Sequence, residues 1–136
     1  MKIELEDRKN LGQVQQEFST LFPYLKIEFF SKPHAAGKGS EKKYIRGASE
    51  LLQDTAVNIN GTPLEIFPEM TVAELEGIFE SRFGLHVQVF RRSGKLWLET
   101  TATDNWTLGY QNQQGRELSS GQLGAPDEPV DYHEQE

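Results

Sequence analysis

Three large aromatics and three basic side chains share one strand parity in this chain. In the stretch Leu-Lys-Ile-Glu-Phe-Phe at 25–30, Lys26 and Phe30 fall on one side. In His-Val-Gln-Val-Phe-Arg-Arg at 86–92, His86, Phe90 and Arg92 do the same, and Trp97 and Thr101 follow in the next alternating run. Successive side chains of a strand point to opposite faces, so these residues should project together from one face of a sheet. Rings interleaved with Lys and Arg suit single-stranded nucleic acid, because bases stack on rings while cations contact phosphate. An apolar face left without cover equally suits a protein partner or self-association. A basic loop at about 31–43, continuing to Arg46, extends either reading: Lys32, Lys38, Lys42, Lys43 and Arg46 stand against Glu41 alone.

Catalytic chemistry has less support. His34, His86 and His133 fall in a loop, a strand and the tail, with no two at metal-ligand spacing. Gly37-Lys-Gly-Ser40 lacks the spaced first glycine and the contiguous Lys-Ser or Lys-Thr pair of a phosphate loop. Glu4, Glu28, Glu65 and Glu99 lie in strand-like runs, but no two of them are placed to converge on a cleft. The absence of cysteine excludes disulfides, thiolate metal sites and a cysteine nucleophile. The expectation is a non-enzymatic protein-binding or oligomerisation module without cofactor or metal, with single-stranded nucleic-acid binding as the alternative.

The net charge of −7 over 136 residues is concentrated at one end. Glu117, Asp127, Glu128, Asp131, Glu134 and Glu136 oppose only Arg116 from 115 onward, in a stretch rich in Gly and Pro. Such a segment buries too little apolar surface to offset its ordering entropy. Residues 116–136 are therefore expected to be a disordered acidic tail after a single domain at 1–115. No run approaches the roughly 18 apolar residues that span a bilayer, and the first residues contain no apolar leader. A soluble cytoplasmic protein is the expectation.

The elements that would position the face follow from periodicity. At 70–83, Thr71 precedes Glu74 at capping-box spacing, and Val72, Leu75, Ile78, Phe79 and Phe83 form one stripe ending at Gly84. A similar helix starts at Asn10, with Gln13 at the box position and Leu11, Val14, Phe18, Leu21 and Phe22 inward. Residues 2–6 and 25–30 alternate as strands around it. This strand-helix-strand order echoes about sixty residues later, as an internal repeat or as the generic likeness of two such units. Ser40 to Leu52 admits a short third helix, with Tyr44, Ile45, Ala48, Leu51 and Leu52 on one side. Asn60-Gly61 signals a hairpin within 57–67, Ser93-Gly94 a second one, and 106–110 a last strand. The sum is an α+β, two-layer domain: a largely antiparallel sheet with two or three helices packed on one face.

The order of hairpin, capped helix and strand at 57–90 resembles part of a β-grasp unit of the ubiquitin-like and sulfur-carrier families, with Asn60-Gly61 as the turn and Thr71-Val-Ala-Glu-Leu75 opening the helix. Such carriers act through a C-terminal Gly-Gly. This chain ends His133-Glu-Gln-Glu136, so the resemblance implies shared geometry without carrier activity. The whole chain also looks like small single-domain proteins common in bacterial genomes, a resemblance that implies no function.

Overall fold

The computed structural model describes residues 1–33, 41–59, 63–120 and 133–135, with Ser120 and 133–135 described by backbone alone. In chain order the elements are β1 (Lys2–Glu4), α1 (Leu11–Leu21), β2 (Leu25–Phe30), a 3₁₀ turn (Lys42–Tyr44), α2 (Leu52–Thr55), β3 (Pro63–Glu65), α3 (Val72–Phe83), β4 (His86–Ser93), β5 (Leu96–Glu99), α4 (Leu108–Ser120) and β6 (His133–Gln135). β1 and β3 make a small antiparallel sheet. β2, β4 and β5 make the main antiparallel sheet, with β6 beside β5 in parallel. Helices α1, α3 and α4 pack against the main sheet, giving the α+β two-layer architecture expected.

Helices α1 and α3 begin where their caps dictate. Asn10 Oδ1 accepts from the Gln13 amide and Gln13 Oε1 accepts from the Asn10 amide, both at 2.8 Å, so two orphan donors are satisfied reciprocally. Thr71 Oγ1 accepts from the Glu74 amide at 3.1 Å. Glu74 makes no return bond among the described residues, and the backbone of Thr71 instead bridges to Thr107. Gly84, at φ +65°, closes α3 in the left-handed conformation that only glycine adopts without strain. Phe18 of α1 and Phe79 of α3 are fully buried, and Phe79 meets Phe29 of β2 edge-on with ring centroids 5.7 Å apart.

The hydrogen bonds of the first half recur in the second. Leu11 and Gly12 donate to the carbonyls of Glu50 and Ala48; Val72 and Ala73 donate to those of Trp106 and Asp104. Leu52 and Gln53 donate to Lys9 and Asp7; Leu108 and Gly109 donate to Met70 and Pro68. Even the turns correspond, with Lys9 to Glu6 matched by Met70 to Phe67 and Glu50 to Gly47 matched by Trp106 to Thr103. The antiparallel ladders are centred accordingly: Ile3 pairs with Leu64, its counterpart, and Glu28 pairs with Gln88. The halves thus face one another about an approximate two-fold relation, and β2 against β4 is the seam.

Several expectations are corrected, and the second hairpin is borne out. The short third helix expected from Ser40 to Leu52 does not form among the described residues from 41 on, because after the 3₁₀ turn Ile45 bridges to Phe30 of β2, with Ser31 donating to Tyr44 and Arg46 to Phe29 at 2.8 Å each; only the one-turn α2 follows. β3 pairs with β1 rather than with 57–59, and the turn at Asn60-Gly61 lies outside the described residues. The second hairpin forms, with Gly94 and Lys95 as its turn. Residues 106–110 enter α4 instead of a strand, and the expected boundary after 115 falls inside that helix. Its inward positions are Leu108, Gln111 and Gly115, a stripe too polar and too small to register as an apolar period. A Cβ on Gly115 would come within 2.8 Å of Tyr24 Cβ, so the glycine permits the close approach. Of the acidic tail, 116–120 completes α4 and 133–135 forms β6; 121–132 and 136 lie outside the described residues.

Because Phe18 and Phe79 hold corresponding buried positions, truncating either to Ala should cost about 3–5 kcal/mol. Urea unfolding measures both. A change within experimental error for either one would contradict the shared core.

Candidate binding surface

The register brings the predicted residues together. Lys26, Phe90 and Glu99 form one cross-strand row, Phe30 and His86 another, and Arg92 and Trp97 a third, all on the face away from the helices. The expected open platform is not there, however. Phe90 is 0% exposed and Phe30 1%, while Lys26, His86, Arg92 and Trp97 are half-buried. Burying a large ring is worth about 2–3 kcal/mol, so the chain gains more by covering these rings than by leaving them wet. Lys26 is drawn inward: its Nζ lies 5.1 Å from the centroids of both Phe90 and Trp97 and 3.5 Å from Glu28 Oε1. Arg92 Nε donates to the Gly94 carbonyl at 3.0 Å, pinning the guanidinium over the β4–β5 turn. Thr101, also expected on this face, is buried.

The basic stretch divides into separate groups. Lys32 and Lys43 flank Tyr44, with their Nζ atoms 4.7 and 5.2 Å from its ring centroid. Lys42 is exposed beside them, and Lys43 also reaches Glu41 at 3.3 Å. Arg46 turns away to Glu50, 3.0 Å distant, whose other oxygen accepts from the Gly47 amide at 2.7 Å. Lys38 lies outside the described residues.

Two features escaped the sequence reading. The first is a cavity of about 290 Å³ between α3, the start of β4 and the 103–104 turn, lined by Pro33, Glu76, Gly77, Glu80, His86 and Asp104 among others. His86 Nδ1 sits 3.7 Å from Glu80 Oε1, beyond hydrogen-bond range, and Glu76 Oε2 accepts from the Val89 amide at 3.1 Å. Glu76 and Glu80 flank the apolar stripe of α3, and as carboxylates at its border they read as ordinary wet positions, whereas Glu76 is half-buried against β4. No group of three or more His, Asp or Glu among the described residues could hold a metal ion. The second is a corner where the 67–70 turn meets the first turn of α4. Phe67 is 48% exposed and Tyr110 45%, and Trp106 meets Tyr110 edge-on with centroids 4.9 Å apart. The corner was legible only as two aromatics outside any helical stripe, and placing Tyr110 in a strand separated it from Phe67.

A buried polar network sets α4, and with it this corner. Arg91 Nη1 donates to Gln111 Oε1 at 2.7 Å, while Gln111 Nε2 donates to the carbonyl and the hydroxyl of Thr103 at 2.8 Å each. The Arg91 guanidinium lies 5.6 Å from the Trp106 ring. No protein-family description, curated protein or solved structure gives a match to this chain. Gln111→Leu should cost about 1–3 kcal/mol, because it leaves buried partners of a fully buried amide without their bonds. Chemical denaturation checks this, and an unchanged midpoint would mean that the network does not fix α4.

Proposed function

We propose that the protein is a non-enzymatic binding module that engages a protein partner, or a second copy of itself, through the β4–β5 end of the sheet. One observation carries the reading. Trp97 keeps part of its ring at the surface between Lys26 and Arg92, while Phe30 and Phe90 on the same face are buried. A half-exposed Trp beside an Arg is the composition that dominates protein interfaces. The recurring hydrogen bonds support a second inference, that the chain arose by internal duplication of a β-α-β unit extended by a following helix.

Single-stranded nucleic acid is a second reading, favoured by Lys32, Lys42 and Lys43 gathered about Tyr44. On the sheet face it rests on Trp97 alone for stacking, since the Phe30 and Phe90 rings offer no surface. Light scattering across roughly 10–500 µM, combined with cross-linking in native lysate, tests the first reading on wild type and Trp97→Ala. Truncating a hot-spot Trp should cost at least about 2 kcal/mol of binding, so association or partner capture should fall at least tenfold. A monomeric wild type that captures the same proteins as the variant would contradict it. Titration of labelled single-stranded RNA at two salt concentrations separates the readings. Binding that weakens with salt, with a slope that flattens by about 0.7 of a unit on Lys43→Ala, would favour nucleic acid.

A further inference from the structure

The two halves place their corresponding corners in the same backbone, and the comparison isolates what the fold does not require. The corner of the second half carries Phe67, Pro68, Met70, Trp106 and Tyr110. The positions with the same backbone hydrogen bonds in the first half are Glu6, Asp7, Lys9 and Glu50, and Asp54 stands at the position of Tyr110 by the same offset in sequence. One scaffold therefore builds this turn-against-helix junction with five charged residues and again with five apolar ones. Glu6, Asp7 and Asp54 are exposed, as a solvent-facing corner should be, yet Phe67 and Tyr110 are exposed too. Packing demands no aromatics there. Met1, 50% exposed, stands beside them, because its carbonyl accepts from the Ile66 amide. Of the five large apolar residues left exposed among the described residues, three (Met1, Phe67 and Tyr110) belong to this corner.

We propose that this corner is a docking surface for a segment of another protein that inserts an apolar side chain flanked by Lys or Arg. It lies on the helix side of the sheet, away from Trp97, so it stands or falls independently of the reading above. Trp106 and Tyr110 meet edge-on, and the Gly109-to-Pro68 hydrogen bond brings the Phe67 turn next to them, so the corner gathers the residue types that supply most interface energy. The charge around the patch selects the partner. Glu65 and Glu69 bracket Phe67, and Glu74 sits in the α3 turn whose Val72 amide donates to the Trp106 carbonyl; all three are exposed, and none forms an ion pair among the described residues. Lys2, paired with Glu65 in the β1–β3 ladder, is the neighbouring exposed base, and Arg91 against the Trp106 ring is buried and held by Gln111. An acidic rim steers a basic segment inward and repels an acidic one. A second copy brings the same acidic rim and a net charge of −7, so self-docking at this corner is disfavoured.

The test uses the full chain and a phage-displayed library of random 12-residue peptides, with the enriched peptides resynthesised and titrated by fluorescence anisotropy. The double variant Phe67→Glu with Tyr110→Asp installs the residues that the first half carries at the corresponding positions, so it should unfold at the wild-type urea midpoint. Enriched peptides should carry an aromatic or aliphatic anchor next to two or more Lys or Arg, and the double variant should bind them at least tenfold more weakly. Should that variant fail to fold, Glu65→Lys with Glu69→Lys leaves the apolar contacts in place and should weaken the same peptides at least fivefold. No enrichment, enriched peptides without basic residues, or undiminished binding by a folded variant would overturn the proposal. So would a wild-type dimer, seen by light scattering, that the double variant abolishes, because the occupant would then be a second copy.

Discussion

The seam between β2 and β4 is the constraint on which the rest of the structure depends. Six residue pairs run along it from Leu25 against Arg91 to Phe30 against His86. Their inward row of Leu25, Ile27, Phe29, Val87 and Val89 is the floor that Phe18 of α1 and Phe79 of α3 cover. Neither half can close this core alone. Each contributes one central strand and a helix that covers it, so either half alone would leave part of the apolar floor open to water. The second junction, β1 with β3, ties the far ends of the halves together and buries Ile3 and Leu64.

Matching scaffolds make differences between the halves informative. Gln15 of α1 and Glu76 of α3 hold corresponding positions, and each satisfies a strand backbone group: Gln15 donates to the Ile27 carbonyl at 2.7 Å, and Glu76 accepts from Val89. Ser19, which donates to the Leu25 carbonyl at 3.0 Å, corresponds to Glu80 beside His86. Neutral contacts that close the first half are thus replaced by carboxylates around a cavity in the second. The same comparison exposes the aromatic corner. A fold can be satisfied by either chemistry, so the choice made in each half reflects what that surface meets.

Much of the scaffold was legible in the sequence because its signals are local. Asn10 with Gln13, Thr71 with Glu74 and the 3.6-residue stripes of α1 and α3 are contained in single helices, and the parity of 25–30 and 86–92 fixed which residues share a face. The missing parts are those decided at a distance. Helix α4 is held by Leu108, by a Gln-Arg-Thr network and by a glycine against Tyr24, none of which leaves an apolar period, while Trp106, Thr107 and Tyr110 favour a strand in isolation. β3 chose β1, more than fifty residues away, over its neighbour in sequence. Exposure was the least legible property. Phe30 and Phe90 were assigned to the right face, but parity says nothing about whether that face is covered.

The most direct measurement of this account is the register of β2 against β4 by NMR, read as interstrand backbone nuclear Overhauser effects in the full chain. The account predicts contacts between residues 28 and 88, flanked symmetrically by 26 with 90 and 30 with 86, together with a contact between 3 and 64 across the smaller sheet. A ladder shifted by one residue would pair Phe30 with Val87 and Phe90 with Ile27, so one of the two rings would lie among the helices, and it would break the centring on corresponding residues. Such a shift, or the absence of pairing between these strands, would contradict the account.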